Sequence, residues 1–226
     1  MKAEFIQTFI KRAITASLLL SFFLTVFFFL PTYVLSVIFV ACATYIIVVE
    51  WRNFFDHQSW IFWVLLPVYP LFSFLLLILL NQDEHARYLL LLMLALVNSF
   101  DSGAYLIGSL FGTYKIAPRI SPGKTWEGTI GGFIICLFTL FFIVYFVSTQ
   151  NSGFLTIAIR IGIIGISVGL LCFFGDLFES FLKRRAGIKD SGTIFPGHGG
   201  LLDRFDSILF VIVFFYFFRN WLISIF

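Results

Sequence analysis

Residues 13–49, AITASLLLSFFLTVFFFLPTYVLSVIFVACATYIIVV, hold no charged side chain, and Pro31-Thr32 interrupts them near the middle. A bilayer-spanning helix needs about 20 mostly apolar residues, so the stretch reads as two spanning helices of minimal length joined by a tight turn. Lys2, Lys11 and Arg12 precede it, as in a signal peptide. The apolar run continues without a small-residue cleavage site, so a retained membrane helix is expected. Composition agrees: of 226 residues 60% are hydrophobic, 12% are charged and 33 are phenylalanine, with a mean hydropathy of +1.02. Soluble domains run at about 45–50% apolar and about 25% charged, and a chain this short cannot bury such an excess. The sequence specifies an integral membrane protein and excludes a soluble globular one.

Working outward, further spans are expected over about Trp60–Leu80, Arg87–Phe111, Glu127–Phe146, Phe154–Leu182 and Phe205–Phe226. The expected fold is all-α, a polytopic transmembrane bundle of about seven spans (six to eight, since the fourth and sixth could each be broken). It forms one membrane domain, 1–226. Residues 1–97 are hydrophobic helices with little chemical information, 98–207 hold the chemistry, and 205–226 form the last helix. With the N-terminus on the cytoplasmic side, twelve of the fifteen Lys and Arg residues fall inside, and only Arg87, Arg160 and Arg219 fall near the other face. The excess of Lys and Arg in cytoplasmic loops selects that orientation.

Scattered basic residues and a net charge of +3 do not make the stripe that nucleic-acid binding needs. Cys42, Cys136 and Cys172 lie in apolar stretches without ligand spacing, and read as reduced packing residues. Gly108-x-x-x-Gly112, Gly128-x-x-x-Gly132 and Gly165-x-x-x-Gly169 are helix-packing patterns, serving one chain or a homodimer, with packing inside one chain favoured.

Two loops concentrate polar chemistry, Gly112–Trp126 (GTYKIAPRISPGKTW) and Lys183–Arg204 (KRRAGIKDSGTIFPGHGGLLDR). Around them sit carboxylates at membrane depth. Asp101 has thirteen uncharged residues on each side, and a charge at the bilayer centre costs about 2.5–3.5 kcal/mol on insertion scales. Asp176 and Glu179 either face a polar cavity or pair with Lys183 or Arg184, Glu179 standing four residues before Lys183. Asp203 and Asp206, three apart, project from one helix face and with a third carboxylate would suit a hard cation such as Mg²⁺. Alone, D-x-x-D is a weak pattern that also serves helix N-termini. Before it, Pro196-Gly197-His198-Gly199-Gly200 frees the backbone for close approach to an anion at a helix N-terminus. Pro122-Gly123-Lys124-Thr125 is not a P-loop, because Pro118 stands where its first glycine belongs and no strand is expected before it. Ser121, Lys124 and Thr125 remain phosphate-binding candidates.

The run from Ser180 to Asp206, with Lys183-Arg184, Lys189-Asp190, Pro196-Gly197-His198-Gly199-Gly200 and Asp203-Arg204-Phe205-Asp206, resembles the signature of phosphatidate cytidylyltransferases. Asp101-Ser-Gly-Ala-Tyr105, Ser121–Gly128 and Gly175–Ser180 add to the resemblance, which spans roughly residues 98–207; before it the chain matches only in hydrophobicity. The resemblance implies transfer of the cytidylyl group of CTP to phosphatidate, giving CDP-diacylglycerol and pyrophosphate, with membrane lipids as surroundings. The site would face the cytoplasm from a bacterial-type inner membrane. It implies Asp176, Asp203 and Asp206 as holders of Mg²⁺, with room for a second metal ion. Lys183 and Arg184 would share in catalysis. Lys189, His198, Gly199, Gly200 and Arg204 would bind substrate, Ser121, Lys124 and Thr125 would complete the phosphate pocket, and Asp101 and Glu127 would brace it. A CTP-dependent lipid or polyprenol kinase would instead release CDP. An ion-coupled transporter would more often show an inverted repeat, and none is seen.

The charge asymmetry yields a direct expectation. A single cysteine replacing Thr113 reacts with an impermeant thiol reagent only from the cytoplasmic side, and labelling from outside would invert the topology.

Overall fold

A computed structural model describes residues 17–18, 20–55, 60–147, 153–194 and 199–226. It is helical, with one small hairpin. The helices are α1 (Leu20–Phe29), α2 (Thr32–Phe54), α3 (Trp60–Gln82), α4 (Leu89–Phe111), α5 (Trp126–Val147), α6 (Phe154–Arg185), α7 (Leu202–Phe217) and α8 (Arg219–Ile223). Among the described residues five helices, α2 to α6, are long and apolar enough to cross a bilayer by themselves. The break expected at Pro31-Thr32 is present, with Pro31 in an extended conformation that turns α1 into α2. α4 and α6 are both continuous.

Local chemistry explains the irregular turns. Pro67 and Pro70 lack the N–H that an α-helix needs, yet α3 continues, because Pro67–Leu71 widens into a π-helical turn. A second such turn, Ile46–Glu50, precedes Trp51 in α2. α6 runs three residues past the expected Leu182 and stops at a left-handed glycine. Gly187 has φ +73°, its N–H donates to the Arg184 carbonyl (3.1 Å), and the Ile188 N–H donates to the Lys183 carbonyl (3.0 Å). That pair of bonds is a Schellman cap. Lys183 and Arg184 therefore stand on the last helical turn rather than in a loop.

Residues 115–125 correct the expectation of a plain loop. Strands β1 (Lys115–Ala117) and β2 (Ser121–Thr125) pair antiparallel, Lys115 opposite Thr125 and Ala117 opposite Ser121. A strand does precede Lys124, but as the partner of β2, so Lys124 projects from a hairpin rather than from a P-loop.

α7 is the central helix, packed against α3, α4 and α6. Leu209, Val211 and Phe215 of α7 are buried, as are Phe74, Leu77 and Leu80 of α3 and Leu89 and Leu96 of α4. Phe28, Phe29, Phe138, Phe142, Phe146 and Phe154 are exposed on the outside, as lipid-facing residues should be. The glycine patterns act within the chain. A Cβ on Gly103 would stand 2.9 Å from Ile135, one on Gly132 would stand 2.9 Å from the Phe100 carbonyl oxygen, and Gly165 and Gly169 lie under Leu137 and Phe133. Arg87, Arg160 and Arg219 gather at the helix ends opposite the hairpin, where they bind the Phe27 carbonyl, the Ser224 carbonyl and Asp83.

The α4–α5 contact is thus testable. Gly132→Val should cost about 1–3 kcal/mol as an overpacked site, read as a lower Tm in detergent. Gly162→Ala, with nothing within 4 Å of its new methyl, should leave Tm unchanged or raise it by up to about 1 kcal/mol in stability.

Candidate active site

The last turns of α6 carry Asp176, Glu179 and Lys183 at spacings of three and four, which puts them on one helix face. Glu179 is fully buried, and its Oε2 accepts a hydrogen bond from Lys183 Nζ at 3.0 Å. The pairing foreseen from their four-residue spacing is present. The same ammonium reaches Asp203 Oδ1 on α7 at 2.6 Å. One lysine thus ties two helices. Asp176 takes a different partner from either lysine or arginine expected for it. Its Oδ2 lies 2.9 Å from Lys124 Nζ, which descends from β2, donates to the Phe173 carbonyl (3.3 Å) and sits over the Phe173 ring. Arg184 donates to the Ile120 carbonyl at the hairpin turn and to the Ile188 carbonyl. Both polar segments therefore converge on the end of α6.

Asp203 is fully engaged. Its Oδ2 accepts from Gly200 N (2.7 Å), Ser191 N (3.0 Å) and Ser191 Oγ (3.0 Å), while Oδ1 holds Lys183. Burial works against its charge, but Lys183 and the N–H groups of Gly200 and Ser191 outweigh it and hold the carboxyl below its usual value. Gly199, with φ +83°, permits the turn, and a Cβ there would meet Asp203 Oδ2 at 2.5 Å. Asp206, three residues on, keeps one oxygen on its neighbour's N–H (Ser207, 2.7 Å) and lies within electrostatic reach of Asp176 and Glu179. Asp101 on α4 lies within electrostatic reach of Asp206, Asp176 and Lys124.

Lys124, Asp176, Lys183, Asp203 and Asp206 are thereby brought together, with Asp101 within electrostatic reach of them. Other candidates do local work. Thr125 is buried and its hydroxyl accepts from the Gly128 N–H at 3.2 Å, capping α5. Glu127 accepts from the Thr113 hydroxyl and the Tyr114 N–H, which ties α5 to the segment entering the hairpin. Ser121 opens β2 opposite Ala117. Lys189 is exposed and lines a cavity of about 410 Å³ with Asn53, Ile188, Asp190, Ser191, Gly192 and Thr193. Arg204 is exposed on α7. His198 lies outside the described residues.

Among the described residues no three His, Cys, Asp or Glu side chains converge at metal-binding distance. The donor chemistry still suits a hard cation: Asp176 and Asp206 supply carboxylate oxygens, and Glu179 Oε1 is buried without a hydrogen-bond partner. Asp203, with three donors on Oδ2 and Lys183 on Oδ1, is the least available of the three expected ligands; Asp176 has one partner on each oxygen, the Ser180 hydroxyl (3.2 Å) and Lys124.

The residue that sequence reasoning missed is Glu50. It is 0% exposed, and its carboxylate accepts from Leu201 N (2.6 Å), Leu202 N (2.7 Å) and Ser191 Oγ (3.2 Å). Its only signal was an acidic residue ending a long uncharged run, which equally marks a helix edge.

The sequence model of the cytidylyltransferase family matches residues 2–222. The phosphatidate cytidylyltransferase of Haemophilus influenzae is 44% identical over 138 residues, 61% of this chain and 48% of that protein. That of Bacillus subtilis is 42% identical over 139 residues, 61% of this chain and 49% of that protein. An uncharacterized protein of Escherichia coli is 38% identical over 171 residues, 74% of this chain and 55% of its own length. The chain spans about half the length of the curated relatives it matches.

Asp203 is predicted to stabilise the fold as well as shape the site. Asp203→Asn turns one acceptor oxygen into an amine facing donors and removes the Lys183 partner charge. It should cost about 1–3 kcal/mol, seen as a lower Tm. Asp176→Asn loses a partly exposed pair and should cost about 1 kcal/mol or less.

Proposed function

The chain belongs to the cytidylyltransferase family, and from that premise we propose that it transfers the cytidylyl group of CTP to phosphatidate. A phosphatidate phosphate oxygen attacks the α-phosphorus of CTP in line. A new P–O bond forms, the bond to the β-phosphate oxygen breaks, and pyrophosphate leaves with the electron pair. No covalent enzyme nucleophile is required, so catalysis consists of positioning and neutralising charge. The observation that carries this reading is the convergence of hairpin and loop on the carboxylates ending α6, one of them fully buried and half unpartnered.

The cations divide the work. Lys183 is largely neutralised by Glu179 and Asp203, so its role is to fix the two helices. Arg184 is held through carbonyl oxygens and keeps its charge for a phosphate. Lys189 extends from the cavity rim, and His198, Gly199, Gly200 and Arg204 complete the binding set carried over from the family motif. Asp176 and Asp206, with Glu179 beside them, would hold Mg²⁺. When bound, the ion would offset the charge on the phosphates and the leaving pyrophosphate. Placing the loops on the cytoplasmic face of a bacterial inner membrane brings a water-soluble nucleotide to a lipid that never leaves the bilayer.

Purified chain given labelled CTP, phosphatidate and Mg²⁺ should release pyrophosphate and CDP-diacylglycerol in equal amounts; release of CDP instead would make it a lipid kinase. Asp176→Asn and Asp206→Asn should each lower that rate at least about a hundredfold, on the order of 3 kcal/mol of transition-state stabilisation. Tm should stay near the unmutated value. Full activity in both variants would remove the carboxylates from the mechanism.

A further inference from the structure

Glu50 belongs to the half of the chain that carries no family motif, yet it is built into the loop that does. The carboxylate is fully buried and ends the π-helical turn of α2. It takes the first N–H groups of α7 from 151 and 152 residues away. An unpaired buried charge is costly, and here two N–H donors, a helix N-terminus and a hydroxyl whose one proton is shared with Asp203 compensate it. The Ser191 hydroxyl stands between Glu50 Oε2 (3.2 Å) and Asp203 Oδ2 (3.0 Å), and Asn53 Nδ2 donates to the Ser191 carbonyl at 2.9 Å. Two carboxylates thus share the loop: Asp203 holds its ends at Ser191 and Gly200, and Glu50 holds Leu201 and Leu202. The approach is tight enough that a Cβ on either Gly192 or Gly200 would meet Glu50 Oε1 at 2.6 Å.

Glu50 is itself anchored. The next residue, Trp51, is 0% exposed among Phe54, Phe55, Phe62 and Tyr69, and Tyr69 packs on Phe178 of α6 and Phe210 of α7. An aromatic cluster therefore fixes α2 against both helices that carry the site carboxylates.

We propose that Glu50 is a positioning residue for the cytidylyl transfer, setting the loop and the start of α7, and so the places of Asp203, Asp206 and Lys189, without touching substrate. This role rests on the activity proposed above. Glu50→Gln keeps the size but points an amide NH₂, itself a donor, at an N–H donor. Ser191→Ala removes only the hydroxyl link, and tests the same contact should Glu50→Gln fail to fold. In the full chain, hydrogen exchange at the amides of residues 200–202 should quicken at least about tenfold in Glu50→Gln. The KM for CTP should rise about fivefold or more while kcat falls about tenfold, with smaller changes of the same direction in Ser191→Ala. Unmutated exchange and kinetics in both variants would overturn the proposal and leave the activity intact. Faster exchange with unchanged kinetics would overturn it, as would a loss of rate that follows the folded fraction at constant KM. An unmutated chain that makes no CDP-diacylglycerol would sink the activity reading itself, and the positioning role with it.

Discussion

One ammonium group holds the site together. Lys183 lies between Glu179 on its own helix and Asp203 on the next, at 3.0 and 2.6 Å. Without it, four carboxylates at the ends of α6 and α7, Asp176, Glu179, Asp203 and Asp206, would lose the cation that bridges the two helices. Removing one partner of a buried pair costs about 3–5 kcal/mol, because the other charge stays uncompensated. The position of α7, the central helix, depends on that contact and on the glycine loop that Asp203 closes.

The class of protein was legible from the charge-free stretch at 13–49, since no packing in water accommodates it. The α6–α7 chemistry was legible as well, because Asp176, Glu179, Lys183, Asp203 and Asp206 are close in sequence and their helical spacing states which face they share. Three features escaped. The hairpin at 115–125 is too short, and too rich in Pro and Gly, to show alternation. Thr125 looked like a phosphate ligand, yet a hydroxyl at a helix start is equally suited to the unpaired N–H groups there, and it caps α5, while Glu127, expected as a brace, ties α5 to Thr113 and Tyr114. Glu50 escaped for a different reason: its partners are backbone N–H groups, which any sequence offers, so nothing in the side chains of residues 191–202 announces an acid to match them.

The hairpin and the glycine loop meet on one element. Lys124 and Arg184 connect the hairpin to α6, while Lys183 and the Schellman cap at Gly187 connect α6 to the loop that follows. Neither polar segment can shift far without moving the side chains that orient the other. An oxygen-rich centre is thereby placed on helices rather than on loops, the arrangement that the proposed in-line transfer would need to hold its reacting groups in place.

The separation of Glu50 from its partners bears on how the chain is made. Ribosomes add about 5–20 residues per second, so Glu50 emerges roughly 8–30 s before the N–H groups of Leu201 and Leu202 that it will bind. Through that interval the acid near the end of α2 has none of its native N–H donors. It must wait near the aqueous edge of the bilayer until α7 arrives. The earlier helices can insert one by one, but the final seating of α2 waits until α7 supplies the backbone N–H groups that Glu50 binds.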